Sequence, residues 1–444
     1  MSVALAPTLL EKDEALNLIE TTIKKSQAEG IFVKLTQNAS TLSRFCENQI
    51  SQNMNCDRFT LEITSYFGKR SASAATTELD EAAIAQAIKR SEELAEFAPE
   101  DPEWVELLPP QTYQQHTPAF NERTATLSPL TRGKMVKRVC AMSAKVGVNA
   151  SGTLSTDTYL KAVGNSLGLR ACDRTTKADF SFTAKSGDGS SWGHNTAFAM
   201  SNLPIEKITE EVIERALASR HPRAISPGIY PVVFNGAAFA SLLPWVTWNL
   251  DARAADEGRS FMAGKDGSGN RLGEQMFSPL VQVKRDPHHP LIQGSTFFSD
   301  GLSNNPLTII QDGIPKTLAY SRYWGQRQGQ QATGGLYPIV MAGSHQSLAD
   351  LIAQTERGIF VNRAWYVRYV NPRTLEVTGM TRDGTFWIED GKIAYPIKNL
   401  RFNQLLPQML ADVEGVSRVQ RFDNTVVPGV KVKAFNFSSV TDSV

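Results

Sequence analysis

An excess of charge of either sign is missing from this sequence: 46 Lys and Arg stand against 45 Asp and Glu, a formal net charge of +1 over 444 residues. A duplex-binding surface needs clustered cations, so this balance offers no electrostatic case for a nucleic-acid partner. Long apolar runs are missing too. No stretch approaches the roughly 18–20 apolar residues of a membrane span. Residues 1–15 have no cationic start followed by an apolar core, so neither a membrane anchor nor a signal peptide is expected. Cysteine is scarce. Cys46, Cys56, Cys140 and Cys172 show no CxxC spacing, which predicts reduced core thiols in place of a disulfide frame or a zinc knuckle. Histidine numbers six, and His116, His194, His221 and His345 stand isolated, each read as a satisfied polar residue. These absences together describe a soluble cytoplasmic protein.

What is present is enough chain for a large core and more than one domain. Helical spacing marks residues 11–25, 79–97, 131–144 and 205–219, each ended by Gly or Pro or opened by a capping residue. Short strands read at 31–35, 44–50 and 59–67, and residues 150–183 alternate like paired strands. Beyond residue 226 the chain turns to short strands at 229–234, 280–283, 307–311, 358–361, 375–380, 385–389 and 392–397. Five prolines between residues 99 and 118 suggest an extended linker. No repeat of 20 to 50 residues stands out. The expected architecture is α+β: an N-terminal α/β domain (1–98), a Pro-rich linker (99–118), a middle α/β segment (119–225) and a β-rich, barrel- or sandwich-like C-terminal domain (226–444).

Three local patterns invite chemistry and lose it in context. Gly164-Asn165-Ser166-Leu167-Gly168 matches Gly-x-Ser-x-Gly, but a nucleophile elbow needs a helix next, and residues 170–182 read as a strand. Asp286-Pro287-His288-His289-Pro290 offers possible metal ligands on a proline-stiffened turn, where neighbouring side chains point apart. The glycine-rich stretch 264–273 lacks the Gly-Lys-Ser/Thr ending of a phosphate loop and reads as a flexible loop, overlapping the insert-like run 263–269.

Residues 384–403 read Gly-Thr-Phe-Trp-Ile-Glu-Asp-Gly-Lys-Ile-Ala-Tyr-Pro-Ile-Lys-Asn-Leu-Arg-Phe-Asn, a hairpin about an acidic-Gly turn. With Glu356-Arg357-Gly358-Ile359-Phe360-Val361 and Asn371-Pro372 upstream, this wording resembles the C-terminal signature of the TldD/PmbA (TldE) peptidase family. Arg259-Ser260-Phe261, Leu272-Gly273-Glu274-Gln275, Ser278-Pro279-Leu280, Asp300-Gly301, Asp312-Gly313, Ala332-Thr333-Gly334 and Asn165-Ser166-Leu167-Gly168 follow the same order, so the resemblance spans most of the chain.

Catalytic members of that family carry a His-Glu-x-x-x-His helix whose imidazoles bind zinc, with a later cysteine completing the site. By the resemblance, Pro244 and Asn249 stand here in place of the histidines and Trp245 in place of the glutamate, and no cysteine follows Cys172. Zinc needs imidazole, thiolate or carboxylate donors, so the resemblance is to the PmbA/TldE branch without its own metal. Asp251, Asp256 and Glu257 lie close by and read as helix-capping or solvating groups.

The resemblance therefore implies a metal-free, catalytically inactive subunit of a TldD/TldE-like metallopeptidase complex. It would pair with a zinc-bearing TldD-like subunit as a heterodimer, or form a homodimer when alone, and would hold an extended peptide, with no cofactor of its own. Pro244, Trp245, Asn249, Arg259, Ser260 and Phe261 are the candidate substrate-lining residues. Two other readings stand beside it: a stand-alone hydrolase with an unrecognised site, Ser166 or a carboxylate group first, and a non-enzymatic peptide-binding or regulatory protein of the kind implied by the family's name as a modulator of DNA gyrase.

Overall fold

The computed structural model describes residues 9–114, 119–265, 269–292 and 294–441. The first eight residues, His116 and the end of the proline-rich segment, and residues 266–268 of the glycine loop lie outside the described residues.

The chain begins with α1 (Lys12–Lys25), β1 (Gly30–Cys46), β2 (Gln49–Phe67), β3 (Arg70–Thr76) and α2 (Glu81–Phe97). After α3 (Glu122–Ala125), a second set follows: α4 (Pro129–Lys145), β4 (Asn149–Asn165), β5 (Arg170–Ser186), β6 (Gly189–Ala197) and α5 (Ile205–Ala218). All six strands form one antiparallel sheet, ordered β3-β2-β1-β4-β5-β6. The order α-β-β-β-α thus occurs twice, and the two copies meet along β1 and β4. This is a repeat of topology that no short sequence period reveals.

The helices cover one face of that sheet. Ala15 and Ile19 of α1 and Ile84 and Ile88 of α2 pack on Leu160 and Ala162 of β4, while Val136 and Val139 of α4 and Val212 and Ile213 of α5 pack with Ala150 and Leu154 of the same strand. These β4 residues are all even-numbered, so they share a face. The opposite face carries the polar residues of β5 and β6 and turns toward the C-terminal half.

That half continues with β7 (Gly228–Phe234), α6 (Gly236–Ala240), α7 (Leu243–Trp248), α8 (Ala252–Asp256), β8 (Val283–Arg285), β9 (Leu307–Gln311), β10 (Ile314–Pro315) and β11 (Ile339–Met341). Then come β12 (Arg357–Asn371), β13 (Glu376–Glu389), β14 (Lys392–Pro396), β15 (Leu400–Leu405), β16 (Val413–Phe422) and β17 (Thr425–Val440). Five strands close a ring, β7-β12-β13-β15-β17, because β17 pairs with both β15 and β7. The β-rich half is therefore a barrel, and Phe234, Phe402 and Phe435 meet edge-on at 5.0 and 5.1 Å in its interior.

Several strands depart from the sequence reading. The segment read at 31–35 is part of the longer β1, the one read at 44–50 straddles the turn between β1 and β2, and 375–380 and 385–389 fall in a single strand, β13. The strand read at 280–283 begins at Val283, residues 400–403 at the end of the 384–403 hairpin reading belong to a separate strand, β15, and β16 and β17 have no counterpart in the sequence reading. Among the described residues no helix is long and apolar enough to cross a membrane.

Candidate functional site

From β7 the chain runs straight into α6 and α7, whose apolar face of Phe239, Leu242, Leu243 and Val246 is buried. That burial fixes where Pro244, Trp245 and Asn249 sit. Pro244 occupies the first turn of α7 and Asn249 caps its end, as a residue without an N–H and a helix-ending polar residue do elsewhere. The Asn249 amide donates both to the Trp245 carbonyl at 2.7 Å and to the Tyr369 hydroxyl at 2.8 Å. The Trp245 ring lies edge-to-face on Tyr369 at 4.7 Å and tilted against Trp248 at 5.9 Å. Ser260 donates its hydroxyl to the Asn249 carbonyl at 3.0 Å. Phe261 is in the hydrophobic core, whereas Arg259 is 60% exposed and bound to Glu257. The structure thus joins Trp245, Asn249 and Ser260, sinks Phe261 and leaves Arg259 at the surface.

These residues do not fit a zinc ion. Proline and tryptophan side chains have no lone pair to give, and Asn249 offers only its neutral amide oxygen, short of the three imidazole, thiolate or carboxylate ligands that a catalytic zinc takes. The neighbouring carboxylates hold structure together. Asp251 accepts from the Ala254 amide at 2.7 Å, and Asp256 accepts from Trp324 Nε1 at 2.8 Å and Asn270 at 2.9 Å. Glu257 is shared by Arg253 and Arg259. No group of three or more His, Cys, Asp or Glu is arranged for a metal among the described residues.

Pro244 instead forms part of a cavity of about 350 Å³ between β6, α6, α7 and the turn that joins β16 to β17. Trp192, Trp248, Tyr337 and Phe422 give it aromatic walls, with His194, Ser241 and Asp423 as polar groups. Trp248 is 62% exposed and Tyr337 49%. Behind the wall lies a charged row on the open face of the sheet. His194 Nε2 meets Asp179 at 3.1 Å, and Lys177 bridges Asp179 at 3.4 Å and Asp423 at 2.9 Å. The Trp192 ring stacks on His194 at 5.7 Å and carries the Arg363 guanidinium at 4.0 Å. Arg363 is itself held by Asp383 at 2.7 Å. Burial opposes the ionisation of Asp179, yet His194 and Lys177 outweigh it and hold the carboxyl below its ordinary range. Burial pushes the Asp157 carboxyl up, against the Ser40 hydroxyl and Lys177. The site offers aromatic surface and hydrogen-bonding groups side by side.

Sequence reading missed this row, because His194 looks isolated in one dimension. Register pairs it: β5 and β6 place Ser181 opposite His194 and Thr196 opposite Asp179. The available signal was the alternation of Lys177, Asp179 and Ser181, which puts all three on one face.

The remaining candidates are structural. Ser166 sits in the turn between β4 and β5, and its hydroxyl accepts from the Ile31 amide at 3.2 Å. Asp286 closes its turn by accepting from the His288 amide at 3.0 Å and pairs with Lys284 at 2.7 Å. His221 pairs with Asp188 at 3.8 Å, and the His345 carbonyl accepts from Arg418 at 3.0 Å. All four cysteines are free, but Cys140 alone is buried and Cys46 is exposed, a correction to the expected core thiols that follows from Cys46 ending β1 at the hairpin tip.

Comparison with known proteins matches residues 123–220 to the PmbA/TldA metallopeptidase central domain and residues 227–439 to the PmbA/TldA metallopeptidase C-terminal domain. The chain is 23% identical over 433 residues to Metalloprotease PmbA of Escherichia coli O157:H7, covering 92% of each chain. Its fold is similar to the crystal structure of TldE from Thermococcus kodakarensis, with a TM-score of 0.85 at 18% identity, covering 95% of this chain and 99% of that one. A putative modulator of DNA gyrase from Thermotoga maritima matches with a TM-score of 0.82 at 18% identity, over 92% and 96% of the two chains.

Proposed function

Because the chain belongs to the PmbA/TldD metallopeptidase family, we propose that it is a subunit that does not hydrolyse peptides itself and completes a complex with a zinc-bearing subunit of the TldD type. The observation that carries this reading is the chemistry at the family's metal-motif position, where Pro244, Trp245 and Asn249 provide no donor set and are tied instead to Tyr369 and to the helix itself. The partner supplies the metal and the hydrolytic step. This chain supplies a wall of the substrate chamber.

The substrate class is unfolded or extended peptide. The aromatic cavity at Pro244 and the hydrogen-bonding groups around it support that class, since Trp and Tyr give contact area without demanding one sequence. The complex acts in the cytoplasm, where four free thiols stay reduced.

The test compares the purified chain, a TldD-type subunit, and their mixture on an unstructured peptide, with zinc measured in each protein. Cleavage is expected in the mixture and zinc in the partner. Robust cleavage by this chain alone, with stoichiometric zinc in it, overturns the reading.

A further inference from the structure

The far end of β12 carries one residue too many. Trp365 pairs with Met380 and Arg368 with Thr378, so Tyr366 and Val367 stand opposite Gly379 alone. That is a β-bulge, and Tyr366 takes it up with a φ of 55°, a left-handed conformation that bulky residues seldom adopt. The position opposite is glycine because a Cβ there would stand 2.4 Å from the Phe402 ring. Val367 turns into the barrel core. The alternation of the strand is broken in consequence, and Trp365 and Tyr366, neighbours in sequence, both face solvent.

Trp365, Tyr366, Tyr369 and Val370 are 38 to 59% exposed, a contiguous apolar strip of the kind that marks an interaction site. Arg368 lies over the Tyr366 ring at 4.3 Å and donates to the Val367 carbonyl at 2.8 Å. Among the described residues no carboxylate pairs with Arg368, whereas Arg363 on the same strand is held by Asp383. The strip continues the cavity at Pro244 from two directions. Tyr369 meets Trp245 and Asn249, and the Arg363 guanidinium lies over both Trp192 of the cavity wall and Trp365, at 4.0 and 4.2 Å.

Strain kept at a bulge beside a cavity marks a segment shaped for contact, since stability alone would relax it. An arginine held flat on a ring with its charge unpaired is set to take a carboxylate, and the rings around it offer contact area to an apolar side chain.

We propose that this strip is a selective peptide subsite, at which Arg368 pairs with an Asp or Glu side chain while Trp365, Tyr366 and Tyr369 hold the apolar residue next to it. This rests on the reading of the chain as a substrate-holding subunit, and it names what that subunit selects: acidic segments flanked by apolar residues. A basic segment meets Arg368 with like charge and is disfavoured.

The test measures fluorescence anisotropy of three labelled peptides of Gly and Ser, identical but for a central Glu-Phe, Gln-Phe or Lys-Phe, against the full chain by itself. The Glu peptide is expected to bind about tenfold more tightly than the Lys peptide, with the Gln peptide between them. Arg368→Gln is expected to erase that order and Arg368→Glu to invert it. The inversion is a gain in affinity for the Lys peptide, which misfolding cannot give. Equal binding of the three peptides by the wild type, binding of none, or an order that Arg368→Glu leaves in place overturns the proposal. Cleavage of the Gln peptide by a mixture with a TldD-type subunit tests the subunit reading separately, so its failure is seen apart from failure of the subsite.

Discussion

Asp179 shows how one residue's setting becomes a measurable property. Burial alone raises its carboxyl, but the hydrogen bond and charge of His194, together with Lys177, hold it below the ordinary value of 3.8. A carboxyl depressed in the folded state adds stability above its unfolded value and loses it as pH falls through the folded value. The wild type is therefore expected to exceed Asp179→Asn in urea resistance at pH 5 to 7, with the difference shrinking as pH falls below about 4. Urea midpoints at a series of pH values check this, and a difference that widens on acidification contradicts it. At this scale the sequence was partly legible. The loss of donors at Pro244, Trp245 and Asn249 could be read directly, because a missing imidazole is a matter of identity. The pairing of His194 with Asp179 could not, because it depends on the register of two strands.

Turns were the most legible elements, since their chemistry is local. Glu389 pairs with Lys392, leaving Asp390 and Gly391 as a two-residue loop with φ of 49° and 72°, the left-handed pair that a type I′ turn requires. A Cβ on Gly391 would also stand 2.6 Å from the Ala353 carbonyl oxygen. Gly391→Ala is therefore expected to cost about 2 kcal/mol, from the left-handed backbone and the clash together. Urea unfolding measures it, and a loss below a few tenths of a kcal/mol would mean that the turn and its neighbour relax freely. Long strands were harder to read, for reasons visible in their burial. The first half of β2 is exposed on both faces, so it lacks the period-2 alternation that marks a half-buried strand. β17 contains Pro428-Gly429, a pair that reads as a turn. In the folded barrel that spot is a close crossing, where a Cβ on Gly429 would meet Leu348 at 2.7 Å and the Phe234 carbonyl at 3.1 Å.

For the whole molecule, the seam between β1 and β4 decides what can fold alone. These strands pair from Phe32 opposite Asn165 to Phe45 opposite Gly152, in the middle of the six-stranded sheet. Each half also lends side chains to the other's core. Leu160 and Ala162 of β4 pack with α1 and α2, and Phe45 of β1 packs with α4 and α5. A fragment of residues 1–98 would expose a long central edge on β1 and lose part of its apolar cluster, both of which favour aggregation over a packed state. A fragment of residues 1–220 keeps all six strands and four covering helices. It is expected to unfold cooperatively in urea and to give dispersed amide resonances, while residues 1–98 give neither. Native-like cooperativity in the shorter fragment would show that the first α-β-β-β-α unit is self-sufficient, and that its junction with the second adds no stability. The contrast matters for the site as well. His194 and Lys177 lie on the second unit and reach Pro244 and Asp423 only across the boundary with the barrel. The lining of that cavity comes from β6 and the C-terminal half, so the cavity is set when the barrel docks on the second unit, and the first unit bears on it only through the sheet that holds β4 and β5 in place.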